Sequence, residues 1–119
     1  MNVLVVDDSK LARLSMIKGL NGTFDMEQIF QAENGQEAVD LAKKHNPAIV
    51  FLDLTMPVMD GYTALPLLLD INPNINVIIV TADIQEQARE KVMSLGAKMH
   101  IKKPITPEKL QDVLQTLRK

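Results

Sequence analysis

Short unbroken runs of apolar residues alternate along the chain with longer segments in which apolar residues recur every three or four positions. The unbroken runs predict strands buried on both faces of a sheet, and the recurring spacing predicts amphipathic helices. We expect strands at 3–6, 27–32, 48–52, 77–80 and 99–101. We expect helices at 9–20 and 34–45, a third after Gly61, a fourth opening at Asp83 and a fifth opening at Thr106-Pro107. This alternation predicts a parallel α/β sheet covered on both faces, with the more polar strand 27–32 at an edge.

The apolar spacing also predicts which helix residues face the core. The first helix should bury Leu11, Leu14, Ile17 and Leu20, and the second Ala38, Val39, Leu41 and Ala42. The fourth should bury Ile84, Ala88, Val92 and Leu95, and the fifth Leu110, Val113, Leu114 and Leu117. Pro66 falls inside the third helix. Because proline removes a backbone hydrogen bond and clashes with the preceding turn, that helix should start late or kink near Pro66.

Composition narrows the class of protein. A chain of 119 residues, 46% apolar and 24% charged, predicts a single folded domain spanning 1–119. The net charge of −2 gives no general attraction to nucleic acid or to anionic membranes. The absence of cysteine excludes disulfides and thiolate metal sites and fits a cytoplasmic location. The apolar run after Met1 is too short for a signal peptide or a membrane span.

Polar side chains stand where the expected strands end. In chain order they are Asp7, Asp8, Asp53, Thr81, Lys102 and Lys103. Ligands of parallel α/β sheets bind beyond the carboxyl ends of the strands, which share one edge of the sheet. The sequence therefore predicts three carboxylates, one hydroxyl and one or two ammonium groups at a common site.

Three neighbouring carboxylates repel one another, and a hard divalent cation such as Mg²⁺ relieves that repulsion. Mg²⁺ beside a carboxylate, a hydroxyl and a lysine is suited to phosphoryl transfer, with the carboxylate attacking phosphorus in line. Asp53 is the candidate nucleophile because it lies centrally between the Asp7-Asp8 side and the Thr81 and Lys103 side. Asp7 and Asp8 are the candidate metal holders.

Four motifs resemble the CheY-like receiver domain of bacterial two-component response regulators. They are Val5-Val6-Asp7-Asp8-Ser9, the segment Asp53-Leu54-Thr55-Met56-Pro57-Val58-Met59-Asp60-Gly61, Thr81-Ala82 and Lys103-Pro104. The resemblance covers the whole chain. It implies a doubly wound, flavodoxin-like (βα)5 fold with a five-stranded parallel sheet of order 2-1-3-4-5.

The resemblance also implies roles for the acidic residues. Asp53 would accept a phosphoryl group from a histidine kinase or a phosphotransfer protein. Asp7 and Asp8 would bind Mg²⁺, with Asp8 and Asp53 as direct ligands and the backbone carbonyl of Thr55 as a third. Thr55 and Asp83 would tune attack by water on the phosphoryl group, although their identities do not predict its lifetime.

Three further roles concern the other side of the site. Thr81 would turn inward to a phosphoryl oxygen, Lys103 would pair with it, and the bond between Lys103 and Pro104 would be cis. Lys103 is preferred over Lys102 because the family's lysine directly precedes the proline. The switch residue that works with Thr81 is usually Tyr or Phe and is His100 here, so this chain has either an altered switch or a tolerated substitution.

The function implied is that of a phosphoacceptor, with no enzyme activity beyond its own phosphorylation and dephosphorylation. Phosphorylation would change the surface of the fourth helix, fifth strand and fifth helix and so control a protein partner. A stand-alone, monomeric chemotaxis-type regulator is favoured. The alternatives are weak dimerisation on phosphorylation, or a receiver excised from a longer DNA-binding regulator.

Other classes that use this topology fit less well. A haloacid-dehalogenase-like phosphatase normally has a second aspartate two residues after the nucleophile, where this chain has Thr55. A flavodoxin-like flavin protein needs a phosphate loop that Asp7-Asp8 would repel, and nucleotide-binding folds need a glycine-rich loop that is absent. A scaffold without phosphorylation is disfavoured because the acidic trio, Thr81 and Lys103 are all present.

Overall fold

The computed structural model describes residues 1–82 and 84–118. In this part of the chain, five parallel strands form one sheet of order β2-β1-β3-β4-β5. The strands are β1 Val3–Val6, β2 Ile29–Ala32, β3 Ile49–Leu52, β4 Asn76–Thr81 and β5 Met99–Lys102. The helices are α1 Lys10–Leu20, α2 Gly35–His45, α3 Gly61–Ile71, α4 Glu86–Ser94 and α5 Pro107–Arg118, with a short 3-10 helix at Met26–Gln28. The predicted α/β fold and strand order are confirmed.

Alternation along the central strands divides the core in two. On β1, Leu4 and Val6 face the cluster that includes residues of α2, α3 and α4, while Val3 and Val5 face the cluster that includes residues of α1 and α5. The central strand β3 and its neighbour β1 are buried along their whole length. Helices therefore cover both faces, and the carboxyl edge of the sheet is left for polar residues. No helix in 1–82 or 84–118 is long and apolar enough to cross a bilayer.

Side-chain caps fix several helix starts. The oxygens of Ser9, Asn34, Asp60 and Thr106 accept hydrogen bonds from backbone N–H groups of the first turns of α1, α2, α3 and α5. Each bond satisfies an N–H that the helix itself leaves without a partner. The predicted starts at Asn34 and Thr106-Pro107 are confirmed.

Some predicted boundaries were wrong. Strand β2 begins at Ile29 rather than residue 27, because Met26–Gln28 form a 3-10 turn that follows Asp25. Strand β4 extends to Thr81, which is therefore its last residue rather than the residue after it. Helix α4 begins at Glu86 with Gln85 as N-cap, and the predicted opening residue, Asp83, lies outside the described residues.

The predicted buried face of α1 was half wrong. Leu11 and Leu14 are 81% and 46% exposed, whereas the buried residues of this helix are Arg13, Met16, Ile17 and Leu20. Helix residues advance by about 100° each, so a spacing of three drifts around the axis and puts Leu11 about 180° from Leu20. The similar prediction for Ile84 was also wrong, because Ile84 precedes α4 and is 53% exposed.

Pro66 does not delay α3. The helix begins at Gly61, where the Asp60 carboxylate accepts from the Thr63 N–H at 2.9 Å, and it continues through Pro66 to Ile71. The late start was therefore wrong, because the cap at Asp60 fixes the first turn before Pro66 is reached. A kink at Pro66 stays a prediction.

Gly61 lets the first turn of α3 lie against the main chain that follows β3. Its N–H donates to the Leu54 carbonyl at 2.9 Å, and a Cβ at this position would collide with the Asp53 carbonyl oxygen. The glycine thus permits the close approach that holds Asp53 in place. At Gly22, by contrast, an added Cβ would meet no atom within 4 Å.

We expect Gly61→Ala to lower the free energy of unfolding by about 1–3 kcal/mol, because the backbone atoms it would meet have no room to move. Urea unfolding followed by circular dichroism measures the change. Gly22→Ala is the matched control and should leave stability unchanged or slightly raised, because alanine reduces the freedom of the unfolded chain. Equal effects of the two substitutions would contradict the close approach.

Candidate functional site

Three carboxylates meet at the carboxyl edge of the sheet. One oxygen from each of Asp7, Asp8 and Asp53 lies within 4.8 Å of the other two. Asp7 and Asp53 are buried, each with 6% of its surface exposed, whereas Asp8 is exposed. The cluster therefore has a buried inner side and a side open to solvent at Asp8.

The strand order explains this meeting. Strands β1 and β3 are neighbours with Val6 opposite Leu52, so the residues that follow them, Asp7 and Asp53, emerge side by side. The Asp53 N–H donates to the Val6 carbonyl at 3.1 Å, and the Asp7 N–H donates to the Ala32 carbonyl at 3.1 Å. The main chain thus holds both aspartates as continuations of the sheet.

Lys103 brings a positive charge to the cluster from the segment between β5 and α5. Its Nζ lies 2.5 Å from Asp7 Oδ2 and 3.1 Å from Asp53 Oδ2. The backbone N–H of Lys103 donates to the Thr81 carbonyl at 2.8 Å, and the peptide bond between Lys103 and Pro104 is cis. Lys102 is exposed at the end of β5. The structure therefore brings Lys103 to the carboxylates.

Burial and mutual contact shift the pKa values of both Asp53 and Lys103. Burial raises the pKa of Asp53, and the hydrogen bond and charge of Lys103 only partly offset this effect. Burial alone would lower the pKa of Lys103, but its hydrogen bonds to Asp7 and Asp53 outweigh burial and the net effect is a raised pKa. Lys103 is therefore a permanent cation at neutral pH.

The charges and donor atoms of the cluster suit a divalent metal ion. When all three carboxylates are ionised, the single ammonium of Lys103 leaves two negative charges uncompensated. Carboxylate oxygens are the hard ligands that Mg²⁺ prefers. The solvent-facing position of Asp8 leaves room for the waters that Mg²⁺ retains. The residues present therefore fit a magnesium ion.

The remaining predicted residues differ in burial and in the element that carries them. Thr81 is buried, with 2% of its surface exposed, at the end of β4. Thr55 is exposed two residues after Asp53. His100 is half-buried on β5 opposite Ile79, two positions before the pair formed by Thr81 and Lys102. Asp83, predicted to tune hydrolysis, lies outside the described residues.

Sequence reasoning missed two features, a buried arginine and a valine with positive φ. Arg13 is buried, and its spacing to Met16, Ile17 and Leu20 on one helix face would have revealed it. Val58 is 82% exposed with φ of +66°, a conformation that β-branched residues rarely adopt. Nothing in the local sequence marks this second feature, because Val58 stands where glycine or asparagine would normally indicate such a turn.

Comparison with known proteins gives one family for almost the whole chain. The family described as the response regulator receiver domain matches residues 3–115. The chemotaxis protein CheY of Thermotoga maritima is 35% identical over 117 residues, which cover 98% of this chain and 97% of that protein. The sporulation initiation phosphotransferase F of Bacillus subtilis is 36% identical over 115 residues, which cover 95% of this chain and 90% of that protein.

A solved structure of a CheY complex is also similar to this chain. The crystal structure of the CheX-CheY-BeF3-Mg complex from Borrelia burgdorferi contains a chain with a TM-score of 0.83 and 35% sequence identity. The match covers 100% of this chain and 90% of that one. Fold and sequence therefore give the same assignment over the whole domain.

We expect Asp53→Asn to raise the midpoint of thermal unfolding at pH 7 in buffer containing EDTA. The raised pKa of Asp53 means that its ionised form is less favourable in the folded state than in the unfolded state. This cost is fully present above the folded-state pKa, decreases as the pH falls through it, and is gone below the pKa of the unfolded chain, so the advantage of asparagine should shrink in acid. Differential scanning calorimetry from pH 7 downward measures both effects. Asp112→Asn, on the exposed side of α5, is the control and should show neither.

Proposed function

The chain belongs to the response regulator receiver domain family, and from that premise we propose that Asp53 accepts a phosphoryl group from a histidine kinase or a histidine phosphotransfer protein. The observation that carries the proposal is the position of Asp53. Its carboxylate is buried between Asp7, Asp8 and Lys103 at the centre of the sheet's carboxyl edge. The relative named as a sporulation phosphotransferase supports phosphoryl transfer as the type of reaction.

In the proposed reaction an oxygen of Asp53 attacks phosphorus as the bond from phosphorus to the donor's histidine nitrogen breaks. The product is an acyl phosphate on Asp53. Burial raises the free energy of the carboxylate, and the reaction moves negative charge outward onto phosphoryl oxygens. The Leu54 N–H already donates to Asp53 Oδ1 at 2.8 Å and so restricts the orientation of the carboxylate before attack.

Lys103 and Thr81 are proposed to stabilise the phosphoryl group. The Lys103 ammonium already lies against Asp53 Oδ2, so a short movement of its flexible side chain would pair it with a phosphoryl oxygen. The Thr81 hydroxyl would donate to a second oxygen after turning inward. Lys103 is bonded through its backbone to Thr81, which keeps these two residues together on the same side of Asp53.

We propose that Asp7 and Asp8 bind Mg²⁺, with Asp8, Asp53 and the backbone carbonyl of Thr55 as its direct ligands. When bound, the ion would offset negative charge on the phosphoryl oxygens. The acidic cluster supports this proposal, as does the CheY chain from Borrelia burgdorferi that was crystallised with beryllofluoride and Mg²⁺.

The proposed output is control of a protein partner through the surface of α4, β5 and α5. The movement of Thr81 would vacate space that His100 could enter, which makes these two residues the proposed switch. The Borrelia CheY complex contains the protein CheX, which supports a protein rather than nucleic acid as the partner. A cytoplasmic, monomeric, stand-alone regulator with no other enzyme activity is part of the proposal. A receiver within a longer regulator is the alternative.

We expect Asp53→Asn to abolish a hydroxylamine-sensitive phosphoryl adduct formed from acetyl phosphate and Mg²⁺, because the amide cannot act as the nucleophile. Intact-protein mass spectrometry before and after hydroxylamine treatment measures the adduct. Asp112→Asn should label like the wild type. Undiminished labelling of the Asp53→Asn protein would refute the assignment of the phosphoacceptor.

Wild-type protein should bind Mg²⁺ in the millimolar range or somewhat more tightly, because few protein ligands hold an ion that dehydrates reluctantly. We expect Asp8→Ala to weaken this binding by about ten-fold or more, since it removes a charged direct ligand. Titration with MgCl2, followed by NMR of backbone amides near Asp53, gives the dissociation constants. Similar constants for the wild type and Asp8→Ala would exclude Asp8 as a ligand.

A further inference from the structure

Arg13 is a buried cation that the proposed reaction does not use. It lies on the inner face of α1 with only 6% of its surface exposed. Burial of a guanidinium is unfavourable unless its N–H groups find partners. The identity of those partners therefore indicates what the residue does.

Arg13 joins three separate parts of the chain. One terminal nitrogen donates to the backbone carbonyl of Asp7 at 2.7 Å, and Nε donates to Gln31 Oε1 at 3.0 Å. The other terminal nitrogen lies 3.6 Å from an oxygen of Glu33, whose side chain is 66% exposed. The side chain thus connects α1 to the end of β1 and to the end of β2.

With the Arg13 contact, the backbone N–H, the backbone carbonyl and both carboxylate oxygens of Asp7 each have a partner. The Asp7 N–H donates to Ala32, one carboxylate oxygen accepts from the Ser9 N–H at 2.9 Å, and the other pairs with Lys103. Without Arg13, the Asp7 carbonyl would lose its charged donor at the point where the chain leaves β1. That carbonyl belongs to the peptide that connects Asp7 to Asp8, so this peptide would lose the hydrogen bond from Arg13.

We propose that Arg13 is a positioning residue for the acidic cluster. By holding the Asp7 carbonyl it fixes the peptide from which Asp8 projects, and therefore the distance of the Asp8 carboxylate from Asp53. The inference rests on the proposed Mg²⁺ site and adds a residue that never touches the ion. A fork of N–H donors serves this role best, because the single nitrogen of a lysine does not reproduce the separate bonds of Arg13 to Asp7 and Gln31.

The test compares the affinity of two variants for Mg²⁺ alone. Arg13→Met keeps an unbranched apolar stem and removes every donor, whereas Lys18→Met removes an exposed cation from the same helix. Titration with MgCl2 by NMR should give about ten-fold weaker binding for Arg13→Met, the size of effect seen when partners of metal ligands are removed. Lys18→Met should bind like the wild type.

Two further readouts separate positioning from general support of the fold. In metal-free buffer, the Ser9 amide resonance should shift in Arg13→Met, because its acceptor on Asp7 moves, and it should stay in place in Lys18→Met. Glu33→Gln removes only the longer ionic contact and should keep wild-type affinity, while Arg13→Lys should recover part of what Arg13→Met loses. If Arg13→Met does not fold, Arg13→Lys is compared with Lys18→Arg in its place, with weaker Mg²⁺ binding expected for Arg13→Lys.

The outcomes distinguish failure of the positioning role of Arg13 from failure of the proposed Mg²⁺ site. Equal Mg²⁺ affinity in the Arg13 variant and its Lys18 control would overturn the positioning role and leave the magnesium site intact, even if urea unfolding showed lower stability. Absence of Mg²⁺ binding in the wild type would overturn the magnesium site, and the positioning role with it.

Discussion

The ammonium of Lys103 between the carboxylates of Asp7 and Asp53 is the interaction on which the site depends. Two buried carboxylates at the ends of adjacent strands would repel each other strongly in a medium less polar than water. Lys103 offsets this repulsion without filling the solvent side of the cluster, where Asp8 remains exposed. Lys103 thus reduces the repulsion between the carboxylates, and the cluster keeps a net negative charge that attracts a divalent ion.

The rest of the fold supplies the geometry that this interaction needs. The parallel order places β1 and β3 side by side, so their exits are neighbours, and the segment after β5 delivers the lysine from the sheet's far edge. Gly61 allows α3 to begin directly against the main chain of Asp53. Helices on both faces bury the strands and leave the carboxyl edge as the place where charged groups collect.

The strands and their polar exits could be predicted because both depend on local pattern. An unbroken run such as 49–52 has one plausible structure, and the residue that follows it must emerge at the sheet's edge. The buried face of α1 could not be predicted from the positions of its leucines alone. Arg13 occupies a position of the inner stripe, and its tertiary partners, Asp7 after β1 and Gln31 on β2, make a buried arginine tolerable. The start of β2 was misplaced for a different, local reason, since in the turn at Met26–Gln28 the Gln28 side chain accepts a hydrogen bond from the Asp25 N–H.

The double attachment of Lys103 has a mechanical consequence. Through its backbone this residue is tied to the end of β4, and through its side chain it reaches over β4 to the ends of β3 and β1. The outermost strand, β5, is hydrogen-bonded to a neighbour on one side only. Lys103 therefore connects the segment that follows edge strand β5 to the ends of the interior strands β3 and β1, and this link runs through the side chain of a single residue.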